Sequence, residues 1–353
     1  MGSHMKRMDL VLGIGLLDVR IIGIWGMGGI GKTTLAHEVF KKISHQFEAS
    51  AFIDNVREGF QKINGKLHMQ KRLYQSLLNI NEAIKHDDHN HMTIDLLWKR
   101  MHSKRMLIIL DDVDKLEQIE DLVGQSKQQQ KWLGGGSRVI VTTRDIHLLQ
   151  KHGDNDIYTY GVGKLIDDEA LELFSHRAFD ENSIPDEYIE LSKNLVDYAD
   201  GHPFTLEILG AFLFKKTVKE WSYIFAKLKE YPDGDPIHNT LKVSYNGLDD
   251  DQKEMFLDIA CFFKGDDQYR AKRIFGGCGF YPTIGVNTLK EKCLITIVGD
   301  KLWMHDLLQE FGRDIVRQES TNFLGQRSRL WYHEDARDVL ENNKVKYLNF
   351  IEL

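Results

Sequence analysis

The sequence predicts a chain of several domains that opens with a parallel α/β sheet and continues with helices. Between Arg20 and Asp180, short apolar runs alternate with amphipathic stretches, which is typical of strands joined by helical crossovers. From about Asp167 onward, helix-period apolar residues replace the strand patterns. Because 353 residues exceed a usual single domain, we expect two or three packed units, each with its own core.

Each element of this fold class follows from a local pattern. The predicted strands are RIIGIW, AFIDNV, MLIIL, SRVIVTT and DIYTY. The helices predicted after them are LELFSHRAF, YIELSKNLVDYA, LEILGAFLF and EWSYIFAKL. The turn-rich PDGDP after Tyr231 marks a further boundary. Beyond it, LITIV and KLWM flank Gly299 and Asp300 as a short hairpin before the helix-like DLLQEFGRDIV, a combination that predicts a winged-helix domain.

Composition excludes several classes of protein. Hydrophobic residues at 42% and charged residues at 28% are ordinary for a globular chain. The net charge of -7 gives no global electrostatic reason to approach nucleic acid or an anionic membrane. The three cysteines lack the spacing of a zinc site or a disulfide framework, which favours a reducing compartment. No apolar run approaches the roughly 20 residues that span a bilayer. We therefore expect a cytoplasmic protein, with the nucleus as a second compartment, and no membrane partner.

Some segments are interpreted as connections or additions. Residues 1–5 (MGSHM) are interpreted as the remnant of an expression tag, so the natural N-terminus is not expected in this sequence. The segment HDDHNH, the glutamines 128–130 and the glycines 134–136 are interpreted as surface connections. Metal binding by HDDHNH is the less favoured alternative.

The strongest motif begins at Gly26. The segment GMGGIGKT matches G-x-x-x-x-G-K-[ST], directly after RIIGIW and before the helix-like TLAHEVFKKI. Glycines let backbone N–H groups turn inward around phosphate oxygens, and the following helix directs its positive end at the same anion. The sequence therefore predicts a P-loop NTPase domain. The candidate nucleotide-binding residues are Gly28, Gly29, Ile30, Gly31, Lys32, Thr33 and Thr34.

Within this loop each polar side chain has an expected partner. Lys32 would bridge the β- and γ-phosphates of ATP, Thr33 would place its hydroxyl on Mg²⁺, and Thr34 would contact the α-phosphate. The plain alternative is a glycine turn capped by a helix.

Two acidic residues and an arginine complete the predicted site. MLIIL is followed by Asp111 and Asp112, the pattern of a Walker B element. We assign Asp111 to the Mg²⁺ shell and Asp112 to orienting or deprotonating the attacking water, with a polar turn as the alternative. Arg144, just past SRVIVTT, is expected to reach the γ-phosphate and distinguish ATP from ADP. Its alternative is an ion pair with Asp145 or another carboxylate.

In order and approximate spacing, GMGGIGKTT, FIDNVRE, LIILDDVD, GSRVIVTTRD, GHPFTL, FLDIACFF and MHD resemble the NB-ARC module of plant nucleotide-binding leucine-rich-repeat receptors. The resemblance extends from about Asp18 to Leu340. LDDVD, which ends at Asp114, and FLDIACFF resemble the subgroup that carries an N-terminal TIR domain, which this sequence lacks.

The resemblance implies a nucleotide-binding domain at 6–163, a helical ARC1 domain at 164–233 and a winged-helix ARC2 domain at 234–330. Residues 331–353 would lead towards a leucine-rich-repeat region. The module would close over ADP at rest and reorganise with ATP, followed by self-association, with TIR and leucine-rich-repeat domains as intramolecular partners.

The resemblance also assigns two residues beyond the sheet. Pro203 would pack near the adenosine, although GHPF replaces both leucines of the family's G-L-P-L motif. His305 of the intact MHD motif would contact the β-phosphate of ADP, and Asp306 would hold the local turn. An aspartate at this point can cap the helix that follows it. The alternatives are a helix-start proline at position 203 and an exposed histidine beside a capping aspartate.

We therefore hypothesise a switch with slow or partner-dependent ATP hydrolysis. The alternative is a nucleic-acid-directed P-loop ATPase that uses its winged helix to bind DNA. The net negative charge and the intact MHD motif argue against it, so nucleic acid is not expected as a partner. A metabolic kinase shares the loop, but the sequence shows no dedicated acceptor site.

Overall fold

The computed structural model describes residues 2–78, 104–124, 133–150, 157–179, 183–229 and 235–342. The chain forms two compact units, Met1–Gly163 and Lys164–Leu353. The HDDHNH segment, the glutamines 128–130 and the last residues from 343 onward lie outside the described residues. The finer division at residue 234 and the tag interpretation of residues 1–5 stay predictions.

The first unit is built on a sheet of five strands. They are β1 Arg20–Trp25, β2 Ala49–Ile53, β3 Met106–Val113, β4 Arg138–Thr143 and β5 Tyr158–Gly161. Their order across the sheet is β2-β3-β4-β1-β5, and all neighbouring strands are parallel. The five predicted strands are therefore confirmed. Because β4 lies between β1 and β3, the carboxyl ends of these three strands lie side by side.

Alternate residues of the strands face two cores, as the period of two requires. Ile22, Ile109 and Ile140 pack with helix α2 (Lys32–Ile43) on one face. Ile108 and Val141 face the other core, and further helices cover both faces. The other α-helices described in this unit are α1 Gly2–Leu12, α3 Val56–Gln61, α4 Gly65–Leu77, α5 Leu116–Val123 and α6 Ile146–Gln150.

Two strand ends differ from the predictions. The second strand stops at Ile53, because Asn55 has a left-handed backbone (φ 53°) and helix α3 begins at the next residue. The third strand continues to Val113, with an irregular register after Leu110. Asp111 and Asp112 therefore lie within this irregular strand end, where apolar patterning gives no signal.

Among its described residues, the second unit is helical apart from one hairpin. Its helices are α7 Asp167–Ala178, α8 Ile189–Tyr198, α9 Pro203–Leu213, α10 Val218–Lys229, α11 Pro236–Asn246, α12 Asp250–Asp258, α13 Gln268–Gly277, α14 Pro282–Glu291, α15 Asp306–Glu319 and α16 His333–Glu341. A π-helical turn, Ile259–Phe263, follows α12. The predicted helices of this region are confirmed.

The predicted hairpin is also confirmed. Strands β6 (Thr296–Val298) and β7 (Lys301–Trp303) pair antiparallel, and the two residues between them both have positive φ. Two positive φ values define the hairpin turn whose twist matches that of its strands. Helix α15 begins three residues after β7, so helices and hairpin form the expected winged-helix arrangement.

Candidate functional site

The loop between β1 and α2 has the backbone that its glycines predict. Gly26, Gly29 and Gly31 have φ values of 153°, 73° and 99°, a region that favours glycine. At Gly26 a Cβ atom would lie 3.1 Å from both the Ile30 side chain and the Val162 carbonyl oxygen. At Gly31, the N-cap of α2, a Cβ atom would meet nothing within 4 Å. This open space at the positive end of a helix fits a phosphate group.

Lys32 lies inside the turn of this loop. Its Nζ donates hydrogen bonds to the carbonyl oxygens of Gly26 (2.8 Å) and Met27 (2.6 Å), and the residue is only 8% exposed. A buried ammonium needs such partners. The ammonium group of Lys32 therefore lies where it could pair with a phosphate bound by the loop.

Thr33 and Asp111, the two predicted metal ligands, are brought together. Thr33 Oγ1 donates to Asp111 Oδ1 at 2.9 Å, and Thr142 Oγ1 donates to the same oxygen at 2.6 Å. Burial raises the pKa of Asp111, although the two hydroxyl hydrogen bonds act in the opposite direction. A hydroxyl beside a buried carboxylate is a set of oxygen donors that suits Mg²⁺, which usually takes one or two carboxylates plus substrate phosphates.

A larger cation-binding cluster is not found in the part of the chain that the structure describes. No group of three or more histidine, cysteine, aspartate or glutamate side chains is placed to hold a metal there.

Asp112 lies between two arginines. Arg57 Nε donates to its Oδ2 at 2.8 Å, and Arg144 Nε lies 3.8 Å from its Oδ1. Its backbone is left-handed (φ 55°), and its N–H donates to Thr142 Oγ1 at 2.9 Å. The ion pair of Arg144 corresponds to the alternative given above, while its contact with a γ-phosphate stays a prediction.

Two residues of this site were missed by the sequence analysis. Thr142 joins Asp111 to β4, and Arg57 joins Asp112 to helix α3. Arg57 belongs to FIDNVRE, a motif that was recognised without a role for any of its residues. Thr142 carried a weaker signal, as a hydroxyl near the end of a predicted strand beside the loop.

In the second unit, Pro203 occupies the first position of helix α9, as predicted. The preceding His202 is buried, and its ring Nδ1 accepts a hydrogen bond from the backbone N–H of Thr205 at 3.3 Å. In this chain a histidine that caps the helix occupies the position of the first leucine in the family's G-L-P-L motif. The contact of Pro203 with adenosine stays a prediction.

The expected role of Asp306 as a helix cap is wrong. Helix α15 begins at Asp306 itself, and the cap is His305, whose Nδ1 accepts the backbone N–H of Leu307 at 3.1 Å. The imidazole ring of His305 also stacks on Phe204, with ring centroids 4.1 Å apart. Phe204 is the residue that replaces the second leucine of G-L-P-L, so the departure from that motif supplies an aromatic partner for His305.

Asp306 instead binds Lys264. Lys264 Nζ donates to Asp306 Oδ1 at 2.6 Å and to Gln309 Oε1 at 3.0 Å, and its side chain is 6% exposed. Gln309 in turn donates to the carbonyl oxygen of Ala260 in the π-helical turn. The first turn of α15, which His305 caps, is thereby tied to the FLDIACFF segment.

We predict that Lys264→Met destabilises the protein. The change removes the hydrogen bonds from Lys264 Nζ to Asp306 and Gln309, and hydrogen bonds to charged groups contribute about 1.5 to 3 kcal/mol each. We expect a loss of about 2 to 3 kcal/mol in the free energy of unfolding, measured by urea titration. Lys253→Met, at an exposed pair with Asp250, serves as the control and should cost less than about 1 kcal/mol. Equal losses in both variants would contradict the prediction.

Two protein families match parts of this chain. Residues 9–184 match the family described as the NB-ARC domain, and residues 249–320 match the family described as the Disease resistance protein Roq1-like winged-helix domain. Disease resistance protein RUN1 of Vitis rotundifolia is 40% identical over 99% of this chain and 26% of its own length. TMV resistance protein N of Nicotiana glutinosa is 36% identical over 97% of the chain and 29% of its own length.

A solved structure has a similar fold. It is a Signal Transduction ATPase with Numerous Domains protein with a tetratricopeptide repeat sensor, from Pyrococcus horikoshii. The TM-score is 0.53 at 17% identity, with 96% of this chain and 45% of the other covered.

The chain spans about a quarter of the length of the curated relatives it matches. Among its described residues, no helix is long and apolar enough to cross a membrane.

Proposed function

Because the chain belongs to the NB-ARC family and carries a Roq1-like winged-helix domain, we propose that it is the ADP- and ATP-binding switch of an intracellular plant immune receptor. Nucleotide binding is the property of its P-loop domain. The observation that carries the proposal is the junction of Thr33 with Asp111 beside Lys32, in a chain that also contains the MHD histidine. ADP would hold the resting state and ATP the active state.

The residues of the first unit divide the work on a nucleotide. Lys32 binds the β- and γ-phosphates as a point charge, and the backbone of the glycine loop surrounds the β-phosphate. Thr33 and Asp111 hold Mg²⁺, which when bound offsets the charge of the phosphates. Asp112 orients the water that attacks ATP, and Arg144 reads the γ-phosphate. The proposed hydrolysis of ATP is slow. Its biological purpose is to set the conformation of the protein rather than to convert a substrate.

His305 supplies the opposing preference for ADP. Its Nδ1 accepts a backbone N–H, so the neutral ring carries its proton on Nε2. That atom can donate a hydrogen bond to the β-phosphate, and the stack on Phe204 fixes the ring plane. Inverting a population from 1:99 to 99:1 takes about 5.5 kcal/mol of preference between two states. Contacts of about 1.5 to 3 kcal/mol each, with Lys32 and Arg144 on one side and His305 on the other, reach that scale.

The relatives are about four times longer than the aligned region, so the receptor would include further domains. We propose TIR and leucine-rich-repeat domains as intramolecular partners, and self-association when ATP is bound. A cytoplasmic location, with the nucleus as a second compartment, accords with this role.

The first test is the identity of any retained nucleotide. The purified protein is denatured, and the released nucleotide is separated by chromatography; a resting switch should release about one ADP per chain. A protein that is empty and fails to bind added ADP or ATP contradicts the proposal. Rapid turnover of ATP without partners would contradict the switch mechanism, and hydrolysis stimulated by DNA with a steep salt dependence would favour the nucleic-acid-directed ATPase instead.

A further inference from the structure

The FIDNVRE segment has no role in the mechanism so far, yet it sends one side chain into the site. Arg57, in helix α3, donates from Nε to Asp112 Oδ2 at 2.8 Å. The side chains of Arg57 and Asp112 are 25% and 16% exposed, so water screens this ion pair only in part. A hydrogen-bonded pair at this depth holds its carboxylate more firmly than an ordinary surface pair does.

Arg144 approaches the same carboxylate from the other oxygen. Its Nε lies 3.8 Å from Asp112 Oδ1, which is beyond hydrogen-bond distance, and its side chain is 41% exposed. The backbone of Asp112 is also held in place, because its N–H donates to the Thr142 hydroxyl, which in turn donates to Asp111. Both arginines are therefore attracted to the Asp112 carboxylate, and Arg57 binds it more closely than Arg144 does.

This difference between the two arginines affects how readily Arg144 can contact the γ-phosphate of ATP. To contact a γ-phosphate, Arg144 must give up whatever attraction it has to Asp112. That cost is small while Arg57 satisfies the carboxylate. Without Arg57, we expect Arg144 to be drawn closer to the Asp112 carboxylate, so that ATP binding would have to separate the two.

We propose that Arg57 is a positioning residue that occupies Asp112 and thereby keeps Arg144 available to the γ-phosphate. The inference rests on the proposed function and deepens it, because it assigns to FIDNVRE the setting of the preference between ATP and ADP. ADP has no γ-phosphate, so its affinity does not depend on this competition.

The test compares affinities for a non-hydrolysable ATP analogue and for ADP, each with Mg²⁺, on nucleotide-stripped protein by isothermal titration calorimetry. We expect Arg57→Gln to lower the affinity for the ATP analogue by about tenfold, the scale of one weakened charge-assisted hydrogen bond, and to leave that for ADP within about twofold. Arg57→Lys, which keeps a cation but not the planar donor group, should give a smaller loss of the same kind.

A double-mutant cycle separates this role from a merely structural one. In an Asp112→Asn background the competition is removed, so Arg57→Gln should no longer change the ratio of the two affinities. The matched control is Arg72→Gln, because Arg72 lies 3.7 Å from Asp54 and makes no contact with Asp112 that the structure describes. This control should leave the ratio unchanged. Thermal unfolding verifies that each variant is folded, and Arg57→Lys carries the test if Arg57→Gln is not.

Two outcomes would overturn the inference. The first is an unchanged ratio of the two affinities in Arg57→Gln, whether both fall equally or neither changes, and the second is a selective loss that persists with Asp112→Asn. Both leave the proposed function intact as long as the parent protein binds both nucleotides. A parent protein that binds neither nucleotide would contradict the proposed function and, with it, the inference.

Discussion

Lys32→Ala should lower the affinity of the protein for ATP by about 10²- to 10⁴-fold, and that for ADP, which lacks the γ-phosphate, by about 10- to 10²-fold. Two charge-assisted hydrogen bonds to phosphate contribute about 1.5 to 3 kcal/mol each, and every 1.4 kcal/mol is about tenfold in affinity. The change also removes the donor that now serves the carbonyl oxygens of Gly26 and Met27. The loop therefore loses both its charge and the contact that holds its turn, and a larger effect is expected than at any other single residue of the site.

The measurement is a titration of nucleotide-stripped protein with a fluorescent ADP analogue. Lys41→Ala is the matched control, because Lys41 lies on the same helix with an exposed side chain and removes the same charge. It should change the affinity by less than about twofold, as expected for an exposed charge at a distance. Binding by Lys32→Ala within tenfold of the parent would mean that the loop is a glycine turn rather than a phosphate cradle.

Local signals were sufficient for the parts of the site that lie within one strand, loop and helix. The glycine spacing, the apolar run before it and the helical period after it all concern neighbouring residues, and the structure has each of them as predicted. Pro203 at a helix start and the turn at Gly299 and Asp300 are of the same kind, because proline and glycine constrain the backbone wherever they stand.

Contacts between distant residues were beyond such signals. Arg57 and Asp112 are 55 positions apart, and Thr142 and Asp111 are 31 apart. Each pair meets only because β2, β3 and β4 are neighbours in the sheet, and periodicity does not reveal the order of strands. The error at Asp306 had a finer cause. The helix begins one residue earlier than a cap at Asp306 requires, and a local pattern does not fix a helix end to a single residue.

A buried ion pair in the second unit leads to the second large expected effect. Arg329, in the segment between α15 and α16, donates from Nε to Asp258 Oδ1 at 2.6 Å, and their side chains are 7% and 8% exposed. Arg329 also donates to the Glu254 carboxylate at 2.7 Å and to the Glu254 carbonyl oxygen at 3.2 Å. These bonds join the segment after α15 to the end of helix α12. Removing one partner of such a pair leaves a buried charge that nothing offsets.

Arg329→Met should therefore lower the free energy of unfolding at neutral pH by about 3 to 5 kcal/mol. Arg270→Met is the matched control, because Arg270 pairs with Asp266 on the surface with a side chain that is 39% exposed, and it should cost less than about 1 kcal/mol. In the double variant Arg329→Met with Asp258→Leu, most of the loss should be recovered, since apolar groups replace both charges. Urea titration of the three variants measures these differences, and a double variant no more stable than Arg329→Met would refute the explanation by an unpaired charge.

The pH dependence of the same variant has a definite sign. Burial raises the pKa of Asp258 above its ordinary value of 3.8, and Arg329 counteracts that rise. Without the arginine, the pKa in the folded protein rises further, so the folded variant binds a proton more tightly than its unfolded chain does. The contribution of Asp258 to stability is then greatest at acidic pH and is lost as the pH rises through its folded pKa. The deficit of Arg329→Met relative to the parent should thus be largest near neutrality and shrink as the pH falls towards 4. A deficit that is constant across this range would assign the loss to the packing of the arginine stem rather than to the charge of Asp258.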